Sequence, residues 1–353
     1  MIEKMVSIKD LLKEKQEYTK QDIVSLLKIN DKTALEDLYA LADSVREKYV
    51  GNVIHVRGIV EFSNYCSKNC LYCGIRRSND QVHRYRMDED KIIKSAKKAE
   101  GLGYKTVILQ SGEDSYYDVD KVVRIIKAIK ESTNLFITLS IGERPEIEYK
   151  LMKEAGADRY LLKHETSDPI LYRQLHPDLK YSNRIKCLRA LKQLGYETGS
   201  GIMIGLPGQT LESIANDILL FKAMDIDMIG MGPYLPHPNT PLARKFEQAG
   251  GDFAPAIGYF DVEEMVYKII AITRIVTKTT HIPATTALGV INEKEGKETA
   301  LKCGANVFMV NITDQEYKQY YEIYPAKIQL SNKNPDSISE ISSKFKSLNR
   351  QVQ

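Results

Sequence analysis

Val53-Ile-His-Val-Arg-Gly-Ile-Val-Glu-Phe-Ser-Asn-Tyr-Cys66-Ser-Lys-Asn-Cys70-Leu-Tyr-Cys73 decides the reading of this chain, because an apolar β-type run empties directly into a loop carrying three cysteines. Residues 53–62 are the first of eight such runs. The others are 106–110, 135–139, 158–162, 197–204, 228–231, 282–285 and 306–310, and amphipathic helical stretches separate them. Strands that alternate with helices build a parallel sheet covered by helices. Eight such units leave no free sheet edge, which predicts an α/β fold: a complete (β/α)8 barrel of the TIM type.

Helical spacing precedes the barrel. Ile8, Leu11 and Leu12, then Ile23, Leu26 and Leu27, then Leu38, Leu41 and Val45 mark apolar faces. Thr19-Lys-Gln-Asp22 reads as an N-terminal cap, and Gly51 stands where the last of these helices should stop. Residues 1–51 are thus expected as a helical extension and 52–326 as the barrel. In 327–353, Ile338, Ile341, Phe345 and Leu348 fall at helical spacing, as expected of a helical tail packed on the barrel.

With 353 residues, 43% of them hydrophobic, the chain can bury a large core. The N-terminal stretch alternates charged and apolar residues and contains no signal-peptide or membrane-spanning run, so a soluble cytoplasmic protein is expected. A net charge of +3 is too small to imply nucleic-acid binding. The local basic run of Arg76, Arg77, His83, Arg84 and Arg86 is either a solvated loop face or a rim that attracts anions.

The cysteines carry the chemistry. Cys66, Cys70 and Cys73 form C-x3-C-x2-C, three thiolates for a centre that prefers four. A cubane of four irons and four sulfides held this way keeps one iron open for a small chelating molecule. A structural zinc would want four closed ligands, and His83, the nearest candidate for a fourth, fits that spacing poorly. Disulfides are disfavoured by five cysteines, an odd and sparse count. Cys187 and Cys303 read as buried inert thiols.

With Tyr72 before the last cysteine, the segment resembles the radical S-adenosylmethionine (SAM) superfamily, whose signature is C-x3-C-x-aromatic-C. The resemblance implies a 4Fe-4S cluster whose open iron takes the amino and carboxylate groups of SAM. The strand ends can be read against it, since barrel enzymes carry reactive groups there. Ser111-Gly112-Glu113 after the second run resembles the superfamily segment that pairs with the SAM amino group. Ser140 follows the third run. Glu165 follows the fourth and suits ribose hydroxyls or the ammonium, while Arg184 suits the SAM carboxylate. Met203 and Gly205, in or after the fifth, would border adenine. Met231, Tyr234, Thr285, Thr286 and Met309 would line the cavity beyond SAM.

Taken together, Ile59–Asn64, Arg84-Tyr-Arg-Met87, Leu109–Asp114, Lys163-His-Glu-Thr166, Gly205–Thr210, Gly232–Pro238 and Ile282–Thr286 look like the HydE family of FeFe-hydrogenase maturases, with biotin synthase and methylornithine synthase as cousins. That resemblance implies that a reduced cluster splits SAM into methionine and a 5'-deoxyadenosyl radical. The radical would act on an iron carrying carbon monoxide, cyanide and cysteine, at the sulfur of that cysteine. It further implies HydG-type and HydF-type partners and an external electron donor. Anion-binding positions would fall on Arg57, Thr138, Lys163, Thr285 and Thr286. Lys163 departs from the family's arginine, and no cysteine follows Cys303, so one cluster is expected. The alternatives are a radical SAM mutase or synthase acting on an amino-acid-like metabolite, and a non-catalytic iron-sulfur carrier.

Overall fold

The computed structural model of the chain describes residues 8–248, 261–333 and 337–353. Eight parallel strands carry it: β1 (Val53–Ser63), β2 (Thr106–Ser111), β3 (Phe136–Ser140), β4 (Arg159–Leu161), β5 (Glu197–Ile204), β6 (Met228–Pro233), β7 (Pro283–Ala284) and β8 (Val307–Asn311). Each lies within a few residues of a run expected from sequence. The hydrogen-bonded order is β6-β5-β4-β3-β2-β1-β8-β7. The remaining seam closes at one point, a bridge between Met228 and His281. There Ile229 N–H donates to His281 O and His281 N–H to Asp227 O, both at 2.9 Å. The barrel is therefore closed by a narrow stitch, because β7 is only two residues long.

Local chemistry explains the elements. Helix Val119–Ser132 starts at Asp118, whose carboxylate accepts from Lys121 N–H, and it buries Val122, Ile125, Ile126 and Ile129, one face at helical spacing. Thr19 and Asp22 make a reciprocal capping box at the start of helix Lys20–Leu27. Helix Lys32–Val50 ends on Gly51 at φ +78°, a conformation open to glycine at little cost. These N-terminal helices pack on helix Val262–Thr277, which is buried along most of its length. Its buried Arg274 is satisfied by Gly304 O (2.8 Å), Lys278 O (2.7 Å) and Asn306 Oδ1 (3.0 Å).

The C-terminal residues return to the bottom of the barrel, where β9 (Gln351–Val352) pairs with the start of β1. Ile338 packs on the core and Ile341 and Phe345 are buried. At the opposite end of β1, the register with β2 shifts between Glu61 and Ser63, a bulge that re-aims the chain into the cysteine loop. Among the described residues no helix is long and apolar enough to cross a membrane.

Candidate active site

The strand ends enclose a cavity of about 390 Å³. Alternation decides which side chains reach it. On β1, Arg57, Ile59 and Glu61 face the cavity, while Val56, Val60 and Phe62 belong to the core packed outside it.

Cys66, Cys70 and Cys73 all border the cavity, and so does Tyr72, whose hydroxyl lies 2.8 Å from His176 Nε2. Lys68 N–H approaches Cys66 Sγ at 3.4 Å. Burial pushes the Cys70 thiol up to about 12 and moves Cys66 and Cys73 the same way, so without a metal these sulfurs keep their protons. No group of three or more His, Cys, Asp or Glu among the described residues converges on a single metal ion. His83 instead packs its ring on Tyr320, with centroids 4.1 Å apart. A cubane places its ligands on separate irons, so three thiols around one cavity fit it without converging.

Glycine permits the close contacts behind the thiols. A Cβ on Gly112 would meet Tyr65 O at 2.2 Å and Cys66 Cβ at 2.8 Å, so the end of β2 rests directly on the cysteine loop. Ser111 and Glu113 border the cavity; Glu113 accepts from Glu143 N–H (3.1 Å) and pairs with Lys68 (3.3 Å). Ser140 borders it from β3. Glu165 sits at φ +65°, a strained region for a residue with a side chain, and pairs with Lys163 at 3.1 Å. Arg184 borders the cavity too, paired with Glu143 Oε1 at 2.6 Å and donating to Lys163 O.

Arg57, Thr138, Met203, Tyr234, Thr285, Thr286 and Met309 also line the cavity, with Met203 and Tyr234 packed beside Leu71 and Tyr72 of the cysteine loop. Among the described residues the buried hydroxyls of Thr138 and Thr285 have no hydrogen-bond partner, which costs free energy unless a ligand supplies one. Arg57 donates to Met228 Sδ at 2.8 Å, and burial, aided by Arg159, pulls it down to about 9. Among the described residues no carboxylate pairs with it directly, Glu197 acting only through space, so its charge suits an anion.

Two expected residues lie elsewhere. Met231 is one residue out of phase with Gly230 and Gly232, so it points into the helix layer, where its sulfur accepts from Thr273 Oγ1 at 3.3 Å. Gly205 is off the cavity wall as well; at φ +85° it turns the chain after β5, and its N–H donates to Gln209 Oε1 at 2.9 Å. Cys187 and Cys303 are free, buried and off the cavity.

Sequence reasoning missed Glu61 and Lys327, which meet in a buried ion pair on the cavity wall. A charged residue inside an apolar β run was the available signal for Glu61. Lys327 follows the last barrel strand with no spacing clue. Tyr321 and Tyr324, from the same segment, also border the cavity.

The burial of His176 makes stability depend on pH. Burial, reinforced by Arg184, pulls His176 from 6.5 down to about 4. Below pH 6.5 the unfolded chain takes up a proton that the folded chain refuses, so this stability is complete above 6.5 and is lost as pH falls towards 4. The loss attributable to His176 should total about 3 kcal/mol. Urea midpoints measured from pH 7 to pH 4.5 should fall more steeply for the wild type than for His176→Gln; parallel curves would contradict this.

A model of the Radical SAM superfamily matches residues 60–221. The HydE subunit of the FeFe-hydrogenase maturase from Thermotoga maritima is 48% identical over 91% of this chain and 88% of its own length. The chain belongs to the HydE family of radical SAM enzymes. The family assignment implies a 4Fe-4S cluster and SAM, for which the three thiols and the cavity of this HydE-family chain are suited. A 3-methylornithine synthase from Methanosarcina barkeri is 31% identical over 87% of the chain and 85% of its length. The crystal structure of methylornithine synthase superposes with a TM-score of 0.83 at 26% identity, covering 98% of this chain and 97% of that one.

Proposed function

We propose that this HydE-family chain is the SAM-cleaving component of FeFe-hydrogenase maturation and acts on a small iron-carbonyl-cyanide-cysteine precursor. The observation that carries the reading is 48% identity to a maturase subunit over 91% of the chain. Further support comes from the anion-suited cavity, whose wall carries the three cysteines together with Arg57, Lys163 and the Thr138 and Thr285 hydroxyls, unpartnered among the described residues.

When bound, the cluster on Cys66, Cys70 and Cys73 supplies the electron that divides SAM into methionine and a 5'-deoxyadenosyl radical. Glu113, beside Ser111, Gly112 and Ser140, would accept the SAM ammonium, and Glu165 the ribose hydroxyls. Tyr72 and Met203 would flank the nucleoside. Arg184 already donates through Nε and Nη1, so one nitrogen is left to steady the carboxylate. Arg57, Lys163 and the threonines Thr138, Thr285 and Thr286 would orient the anionic precursor, with Tyr234 and Met309 closing the wall. The closed barrel keeps solvent from a reactive carbon radical. The cluster would be single, since only Cys187 and Cys303 remain beyond the three cavity thiols and no cysteine follows Cys303.

The role of Glu113 is open to a direct test. A Cβ on Gly142, at φ +80°, would lie 1.9 Å from Glu113 Cγ. Gly142→Ala should displace that carboxylate and weaken SAM binding about tenfold or more, a change of ~1.4 kcal/mol or above. Equilibrium dialysis of the reconstituted protein should show it, and an unchanged Kd would remove Glu113 from the site.

HydG-type and HydF-type partners and an external electron donor belong to the same proposal. Adding the protein to those maturases and apo-hydrogenase should restore hydrogen evolution. Activity no higher than in a mixture lacking it would favour a metabolite mutase or synthase.

A further inference from the structure

The basic run after the cysteines is a solvated face only in part: Arg77, His83 and Arg86 are exposed, while Arg76 and Arg84 are half-buried and turned onto backbone carbonyls. Arg76 donates from Nε to Cys70 O (3.3 Å) and from Nη2 to Asn69 O (3.2 Å). Arg77 donates to Ser67 O at 3.1 Å. Arg84 does most: Nη1 reaches Asn64 O (2.5 Å) and Ile75 O (2.8 Å), and Nη2 reaches Arg76 O (2.6 Å) and Asn79 O (3.1 Å). The carbonyls of Asn64 and Ile75 lie on either side of the three cysteines. One planar guanidinium thus ties both flanks of the cysteine loop, which has no regular secondary structure to hold it.

Charge matters as well as geometry. Cys66 and Cys73 are the groups whose negative charge would act most strongly on Arg84. Arg77 is not equivalent, since its side chain is 58% exposed and its charge is screened by water. Arg86 is committed to Asp114 at 2.8 Å and lies over the Tyr65 ring.

We propose that Arg84 is a positioning residue of the cysteine loop that also raises the reduction potential of the cluster held there. Reduction adds one negative charge to a partly buried centre, and a fixed neighbouring cation favours the reduced form. Four carbonyl contacts keep that cation in place. The inference rests on the cluster assignment above, so its test separates the two.

Wild type, Arg84→Gln, Arg84→Lys and Arg77→Gln would be reconstituted anaerobically, assayed for iron per chain, and titrated by EPR without SAM. Arg84→Gln should shift the midpoint potential to a more negative value. Arg84→Lys, which keeps the charge but cannot reach four carbonyls, should hold the wild-type potential with less iron per chain. Arg77→Gln should not shift it. An unshifted Arg84→Gln, or an Arg84→Lys displaced as far, would overturn the role of charge; full iron in Arg84→Lys would overturn the clamp. If Arg84→Gln retains no cluster, Arg84→Lys decides: a potential displaced from that of the wild type would overturn the role of charge, and full iron would overturn the clamp. A wild-type protein without a reducible cluster would instead overturn the cluster assignment itself.

Discussion

Cys70→Ser should abolish SAM cleavage, with 5'-deoxyadenosine falling to the level of protein-free controls and the visible absorbance of the cluster lost. Cys70 is one of three thiols on the cavity, and a cluster of this kind has no spare protein ligand. Serine keeps the size but not the soft thiolate. The burial that pushes Cys70 up to about 12 also means that only a strongly bound metal holds it deprotonated. Cys187→Ser, a buried position off the cavity, should retain both cluster and cleavage. Cleavage surviving in Cys70→Ser would remove the three-cysteine site from the mechanism.

Lys327→Met should destabilise the fold by about 3–5 kcal/mol, because it leaves the Glu61 carboxylate buried without its counter-ion. Glu61 Oε1 meets Lys327 Nζ, and Oε2 accepts from Asn311 Nδ2 at 2.8 Å; both partners of the ion pair are almost fully buried. Lys327 also donates to Tyr321 O at 3.2 Å, so the same change loosens the segment bearing Tyr321 and Tyr324. Glu61→Gln combined with Lys327→Met removes both charges and should recover much of the loss. Urea denaturation of the wild type and the two variants checks this, and a double variant no more stable than Lys327→Met would contradict the ion-pair account.

The barrel was legible because strand and helix periods differ, and each of its eight strands fell within a few residues of its run; the short β9 in the tail expected to be helical did not. The cysteine loop was legible because its chemistry is local in sequence. Facing within a strand was harder: Met231 was expected on the cavity, but the pleat places Gly230 and Gly232 there instead. Gly205 was read as an approach surface for a ligand when its positive φ serves a turn. Lys327 and Glu61 are 266 residues apart, and nothing in local spacing joins them. The arginine run shows the same limit. Its composition allowed a solvated face or an anion-binding rim, and the fold turned most of its guanidinium groups onto the carbonyls of the cysteine loop.

The most direct test is the product formed by anaerobically reconstituted, reduced protein given SAM. The account predicts about four irons per chain and release of methionine and 5'-deoxyadenosine in equal amounts. A protein that binds iron yet leaves SAM intact under reduction would be an iron-sulfur carrier, and would contradict the central claim.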